Sequence, residues 1–192
     1  KEIGFLEATR SRFGFEHERG WTLMCHALDL IGDSELGIES FRTQGLGGPG
    51  FGERLLRLNG LLTCCYQQGW SVLQLAELFK VDGKTRIRKD FNALDITAMR
   101  HVVAAHTVTF QSDTLQRMTS FTISRPHIGT GHVVTFDELN TQREWDVEEA
   151  VARYSEWAGG QLYRICHKVV ESLYRTSPKE LVRYRERLKE LK

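Results

Sequence analysis

Trp145 to Tyr174 reads WDVEEAVARYSEWAGGQLYRICHKVVESLY. Val147, Val151, Tyr154, Trp157, Leu162, Ile165, Val169, Val170 and Leu173 recur there mostly at three- and four-residue steps, the spacing of a long helix that buries one broad face. A stripe of that length must be covered by other elements, and the rest of the chain supplies helices. Phe5, Phe13, Phe15, Trp21, Met24, Cys25, Leu28 and Ile31 predict helix over 3–31, continuous or broken at Gly14 or Gly20. Leu55, Leu56, Leu58, Leu61, Leu62, Cys65 and Tyr66 predict a buried helix over 53–67, with Gly69 ending it and Ser71 capping a short helix over 71–79. Between these lies Gly45 to Gly52, whose five glycines and Pro49 disfavour helix and predict a flexible loop.

Beyond the turn signal Asp82-Gly83, the apolar positions Ile87, Phe91, Leu94, Ile96, Met99, Val102, Val103 and Ala105 suit a core helix. It is expected to start between Lys84 and Asp95 and to end near His106, before the β-branched and aromatic run Thr107 to Phe110. The period then changes. Phe121 and Ile123 on one side of Gly129-Thr130-Gly131, and Val133, Val134 and Phe136 on the other, predict a β-hairpin over 119–136, with Pro126 marking an edge. Ser177-Pro178-Lys179-Glu180 combines a capping box with proline at the first helical position and opens a charged, peripheral helix over 178–191. The expected architecture is mainly α: a helical bundle forming a single domain over 1–192, with a β-hairpin inserted before its long last core helix.

A chain of 192 residues, 41% hydrophobic and 27% charged, is long enough for such a domain with a sizeable core. Its net charge of +1 gives no global basic field, so any nucleic-acid site must be local. Cys25, Cys64, Cys65 and Cys166 show no CxxC spacing and are expected to be reduced thiols in a cytoplasmic protein. No apolar run approaches the roughly 18–20 residues of a membrane span, and no signal-peptide pattern opens the chain. With Lys1 in first place, the chain is expected to begin inside a longer reading frame or to have been trimmed.

Chemistry concentrates in Met99-Arg100-His101-Val102-Val103-Ala104-Ala105-His106. A histidine with a pKa near 6.5 can take a proton from a ribose 2′-hydroxyl at neutral pH, and a permanently charged guanidinium can hold a phosphate in two places. Arginine-to-histidine pairs within the same window of four to six intervening residues recur from Arg10 and Arg12 to His17, from Arg19 to His26 and from Arg125 to His132. Only the 100–106 match combines a polar residue directly after the arginine, small residues before the second histidine, and apolar neighbours that bury one side. Six helical steps place His106 about 120° round the axis and about 9 Å along it from Arg100. Convergence on one phosphate is therefore easier with a second copy related by a two-fold axis.

This pattern resembles the HEPN superfamily of higher eukaryote and prokaryote nucleotide-binding proteins, in which an inner helix of an all-helical domain carries arginine, a polar residue and histidine at this spacing. Arg100 matches the family arginine, His101 the following polar residue and His106 the family histidine, and the hairpin at 119–136 is an insertion beyond the family pattern. The resemblance implies a metal-independent endoribonuclease of a toxin or antiviral defence system, active as a homodimer, restrained by an antitoxin or other protein partner, and needing no cofactor. His106 would be the general base, Arg100 would stabilise the phosphorane, and His101 would orient phosphate or protonate the leaving 5′-oxygen. Products would carry a 2′,3′-cyclic phosphate or 3′-phosphate and a 5′-hydroxyl.

Other residues offer competing readings. Asp90, Asn92 and Asp95 are placed to orient the Arg/His pair or to be solvated partners of a basic helix, and Arg125, His127 and His132 bracket the hairpin turn. Glu16, His17, Glu18 and His26 lack metal-ligand spacing. Tyr163, Arg164, His167 and Lys168 form a basic patch on the long helix, and Cys166 shows no activation pattern beyond the adjacent His167. The glycines at 45–52 lack the Lys-Ser/Thr of a phosphate loop. Two other function classes stand beside the ribonuclease: a non-catalytic scaffold whose partner surface is the charged last helix, and a nucleic-acid-binding regulator in which 71–79 and the Lys84, Arg86, Arg88, Lys89 cluster form a helix-turn-helix.

Overall fold

Leu58, Leu61, Leu62, Cys65, Gln68, Gly69, Val72, Leu75 and Ala76 lie along one face of a 28-residue helix, α3 (Phe51–Leu78), that organises the rest of the protein. The computed structural model describes residues 2–15, 18–103, 110–111, 118–119, 121–129 and 131–190. Among these, α1 (Glu2–Phe13) and α2 (Glu18–Gln44) precede α3. They are followed by α4 (Lys84–Asn92), α5 (Asp95–Val103), α6 (Val147–Leu173) and α7 (Pro178–Lys189). The described residues are thus mainly α-helical, and α3 packs against α2, α4, α5 and α6.

Gly69 does not end α3; the helix runs through it, joining the expected 53–67 and 71–79 helices into one. The reason is packing. A Cβ built on Gly69 would overlap the ring of the fully buried Phe91 on α4, so the glycine is a seat for that ring. The helical cost of glycine, about 1 kcal/mol, is offset by an aromatic packed flush against the α3 backbone. Ser71 accordingly sits buried inside the helix rather than at a cap. Gly45 to Gly50 form a short connection, with Leu46 buried and Gly50 opening α3, so the expected loop over 45–52 shrinks as Phe51 and Gly52 join the helix.

The break in the N-terminal helix falls at Gly14, with φ +71°, and brings Phe13 and Phe15 onto Phe79 at ring separations of 4.9 and 5.9 Å. Gly83, with φ +81°, turns the chain into α4, whose Ile87 and Phe91 point inward while Lys84, Arg86, Arg88 and Lys89 remain exposed. The expected core helix starts at Asp95, the later of its expected bounds, as α5, and Lys84–Asn92 form a helix of their own, α4, with Ala93-Leu94 between them.

A polar network running from the buried Gln68 and Tyr154 to the exposed Glu35 and Arg42 ties α2, α3 and α6 together. Gln68 donates to the Ile31 carbonyl at 3.2 Å and to Glu35 at 2.9 Å, and accepts from the Tyr154 hydroxyl at 2.8 Å. Arg42 pairs with Glu35 at 2.6 Å and donates to Ser155 at 2.8 Å. Burial pushes the Glu35 carboxyl up, but the Gln68 amide and the Arg42 guanidinium outweigh it and hold the pKa below its ordinary value. A depressed carboxylate contributes stability that is full above its unfolded pKa and lost as pH falls through the folded one. Stability should therefore decline as pH drops below about 4.5, and Glu35→Gln should lower stability at neutral pH while flattening that decline, measured as urea midpoints across pH. An unchanged slope would remove Glu35 as its source.

The hairpin is present in altered form. β3 (Phe121–Ile123) pairs antiparallel with β4 (His132–Asp137), and β4 pairs antiparallel with β5 (Gln142–Asp146), in spatial order β3-β4-β5. A separate ladder joins β1 (Phe110–Gln111) to β2 (Met118–Thr119), so Thr119 lies outside the hairpin. Between β3 and β4, Arg125–His127 form a 3-10 turn in which Pro126 sits, Ile128 is fully buried, and the expected turn residue Thr130 lies outside the described residues. Arg54 of α3 donates to the Ile128 carbonyl at 2.8 Å and pins that segment. β5 escapes the pattern because Trp145 alone faces inward from it. α6 consequently starts at Val147, capped by Asp146 accepting from the Glu149 amide at 2.8 Å. At α7, Pro178 holds the first turn as expected, but the Ser177 side chain makes no capping bond.

Candidate functional site

Ile96, Met99 and Val103 bury one side of α5 against the core, which leaves Arg100 and His101 half-buried at its rim. Both meet Tyr66. The Arg100 guanidinium carbon lies 4.3 Å from the Tyr66 ring centroid, and the His101 ring stands edge-on to the same ring at 5.9 Å. Tyr66 is half-buried on α3 one turn before the partly exposed Trp70, and the two rings are 6.1 Å apart. Behind this pair, Phe91 packs 6.1 Å from Tyr66, 6.3 Å from Trp70, and in a stack at 5.0 Å on Trp157 of α6. The site is thus backed by aromatic side chains from three helices.

At the far end, the Arg88 guanidinium lies 5.3 Å from the Trp70 ring. The resulting order is cation, ring, ring, cation: Arg100, Tyr66, Trp70, Arg88. Among the described residues no carboxylate pairs with Arg88, Lys89 or Arg100, whereas Arg86 pairs with Asp90 at 3.8 Å and Lys84 with Glu77 at 3.5 Å. A guanidinium held on a ring keeps its N–H donors directed sideways, available to an oxyanion. Burial, reinforced by the neighbouring Arg100 charge, pushes the His101 pKa below its ordinary value and favours the neutral imidazole.

His106 lies outside the described residues, as does His17 with Glu16. Asp95, at the start of α5, pairs with Arg143 at 3.3 Å and Arg153 at 3.9 Å, and so joins α5 to the sheet and α6. Arg125 lies over Phe51 at 5.4 Å, His127 bonds Ser124 at 2.8 Å, and His132 pairs with Glu144 at 3.3 Å. On α6, Arg164 donates to Gln161 and to the Asp82 carbonyl, and His167 pairs with Glu171 at 3.8 Å, so these two members of that basic patch are engaged in internal contacts. Cys166 is exposed on the same helix, and His26 is exposed on α2. Among the described residues, no group of three His, Cys, Asp or Glu side chains is placed to hold a metal ion, and no helix is long and apolar enough to cross a membrane.

Tyr66 and Trp70 are the site residues that sequence reasoning missed. Their signal was an aromatic pair four residues apart, which puts both rings on one helix face, but the expected helix end at Gly69 separated them. The helix-turn-helix reading loses its short first helix, since 71–79 belongs to the end of α3 and the connection. No protein-family model, curated protein or solved structure matches this chain.

Proposed function

We propose that this protein is a metal-independent endoribonuclease of HEPN type acting through the rim of α5. The observation that carries the reading is a guanidinium held over Tyr66 beside a half-buried imidazole that meets the same ring. Arg100 would bind the scissile phosphate and stabilise charge as the phosphorane forms. His101, neutral at pH 7, would take the proton of the ribose 2′-hydroxyl as its oxygen attacks phosphorus. The P–O5′ bond then breaks, leaving a 2′,3′-cyclic phosphate and a 5′-hydroxyl whose proton comes from a second histidine. A depressed pKa favours the unprotonated imidazole, and on that ground we assign the base to His101 and the acid to His106 of the same or a second copy, the reverse of the roles that the family resemblance implies. A homodimer supplying both copies, a cytoplasmic setting and a defence role belong to the same proposal.

The pH dependence of cleavage tests the role of His101. The acid limb of kcat/KM should fall below about 6.5, the ordinary imidazole value. Arg100→Ala should move it part of the way back up, since burial, the larger cause, remains. An acid limb above the ordinary value would overturn the assignment of His101 as base.

A further inference from the structure

We propose that the groove beside Trp70 is a nucleobase-binding subsite that holds an unpaired nucleotide of single-stranded RNA next to Arg100. The inference rests on the RNA reading above and extends it along α3, away from the cleavage residues. The groove has a volume of about 460 Å³ and is lined in part by Leu30, Tyr66, Gln67, Trp70, Gln74 and Arg88. That size lies within the roughly 300–1,000 Å³ of small-ligand sites, and its open side admits a strand. Trp70 supplies the ring, 38% exposed although large and apolar, with Phe91 edge-on to it at 6.3 Å and Arg88 over it at 5.3 Å. Every base has a π-face, so an aromatic of this kind takes a base without regard to sequence. Gln67 and Gln74 place amides on the groove wall, each able to donate to and accept from a base edge.

Charge selects the occupant. Arg88 at one end and Arg100 at the other are the cations of the ladder, and neither is paired to a carboxylate among the described residues. Glu77, the acid that lines the groove, is paired with Lys84. A dinucleotide laid along Arg100, Tyr66, Trp70 and Arg88 would set its two bases against the rings and its outer phosphates at the two cations. A duplex keeps its bases stacked inside and cannot use Trp70 in this way.

Binding of a short 2′-O-methyl RNA oligonucleotide, which cannot be cleaved through its 2′-oxygen, separates this subsite from the chemistry. Wild type should bind it with quenching of tryptophan fluorescence, and should bind duplex RNA of the same sequence more weakly. Trp70→Ala and Arg88→Ala should each weaken binding about tenfold. Trp70→Phe, which keeps an aromatic against Phe91, should retain most of the affinity and lose most of the quenching. Affinities of Trp70→Ala and Arg88→Ala within about twofold of wild type, or equal binding of the duplex, would overturn the subsite. If Trp70-dependent binding is found but wild type leaves unmodified RNA intact, the cleavage reading falls and the subsite stands. If Arg100→Ala abolishes cleavage while the Trp70 variants bind normally, the cleavage reading stands and the subsite falls.

Discussion

Phe91→Ala is expected to cost about 3–5 kcal/mol of folding stability, the range for removing a fully buried aromatic ring. Domains of ordinary stability hold only about 5–15 kcal/mol, so the loss would be a large share of the total. Phe91 is fully buried, stacks on Trp157, contacts Tyr66 and Trp70, and fills the seat left open by Gly69. Its removal opens a cavity where α3, α4 and α6 meet, and rigid helix backbones cannot close it. Gly69→Ala approaches the same contact from the other side, with a methyl group forced into the ring. Urea unfolding followed by circular dichroism measures the loss. A change of less than about 1 kcal/mol in Phe91→Ala, well under the range for a buried aromatic, would mean that the site's aromatic backing does not hold the helices together.

Arg100→Ala should lower RNA cleavage by about 10²–10³-fold, the usual effect of removing one donor to a developing oxyanion. Folding should change little, because the residue lies at the rim of α5 and its contact with Tyr66 is a cation–π interaction worth about 0.5–1 kcal/mol at a partly exposed site. Arg100→Lys should recover only part of the activity: an ammonium carries the charge but not the two-pronged donor geometry. His101→Ala should cost about 10²–10⁴-fold as the loss of a general base. Single-turnover rates under saturating enzyme measure these effects apart from binding. Wild-type rates in Arg100→Ala would place the phosphate elsewhere.

Helical content was legible in the sequence wherever a stripe was long, as along α6, because one buried face imposes its period on many residues. Gly69 misled because local propensity counts the cost of glycine in a helix, whereas the close approach of Phe91 depends on a residue 22 positions away. β5 was missed because only Trp145 faces inward, and one inward side chain sets no alternation. Arg100 and His101 could be singled out by their spacing to His106 and by their neighbours in the sequence. Their shared partner Tyr66 could not, since it joins them only through the packing of α5 on α3. Arg88 was visible as one member of a basic cluster, but its place over Trp70 separates it from Arg86 and Lys84, which pair with carboxylates.

Incubation of the purified chain with single-stranded RNA in excess EDTA, comparing wild type with Arg100→Ala and identifying the product ends, is the most direct test of the proposed chemistry. Wild type should cut the RNA to 2′,3′-cyclic phosphate and 5′-hydroxyl ends, and Arg100→Ala should leave it almost intact. RNA left whole by wild type, or cut equally by both proteins, would contradict a metal-independent ribonuclease centred on Arg100.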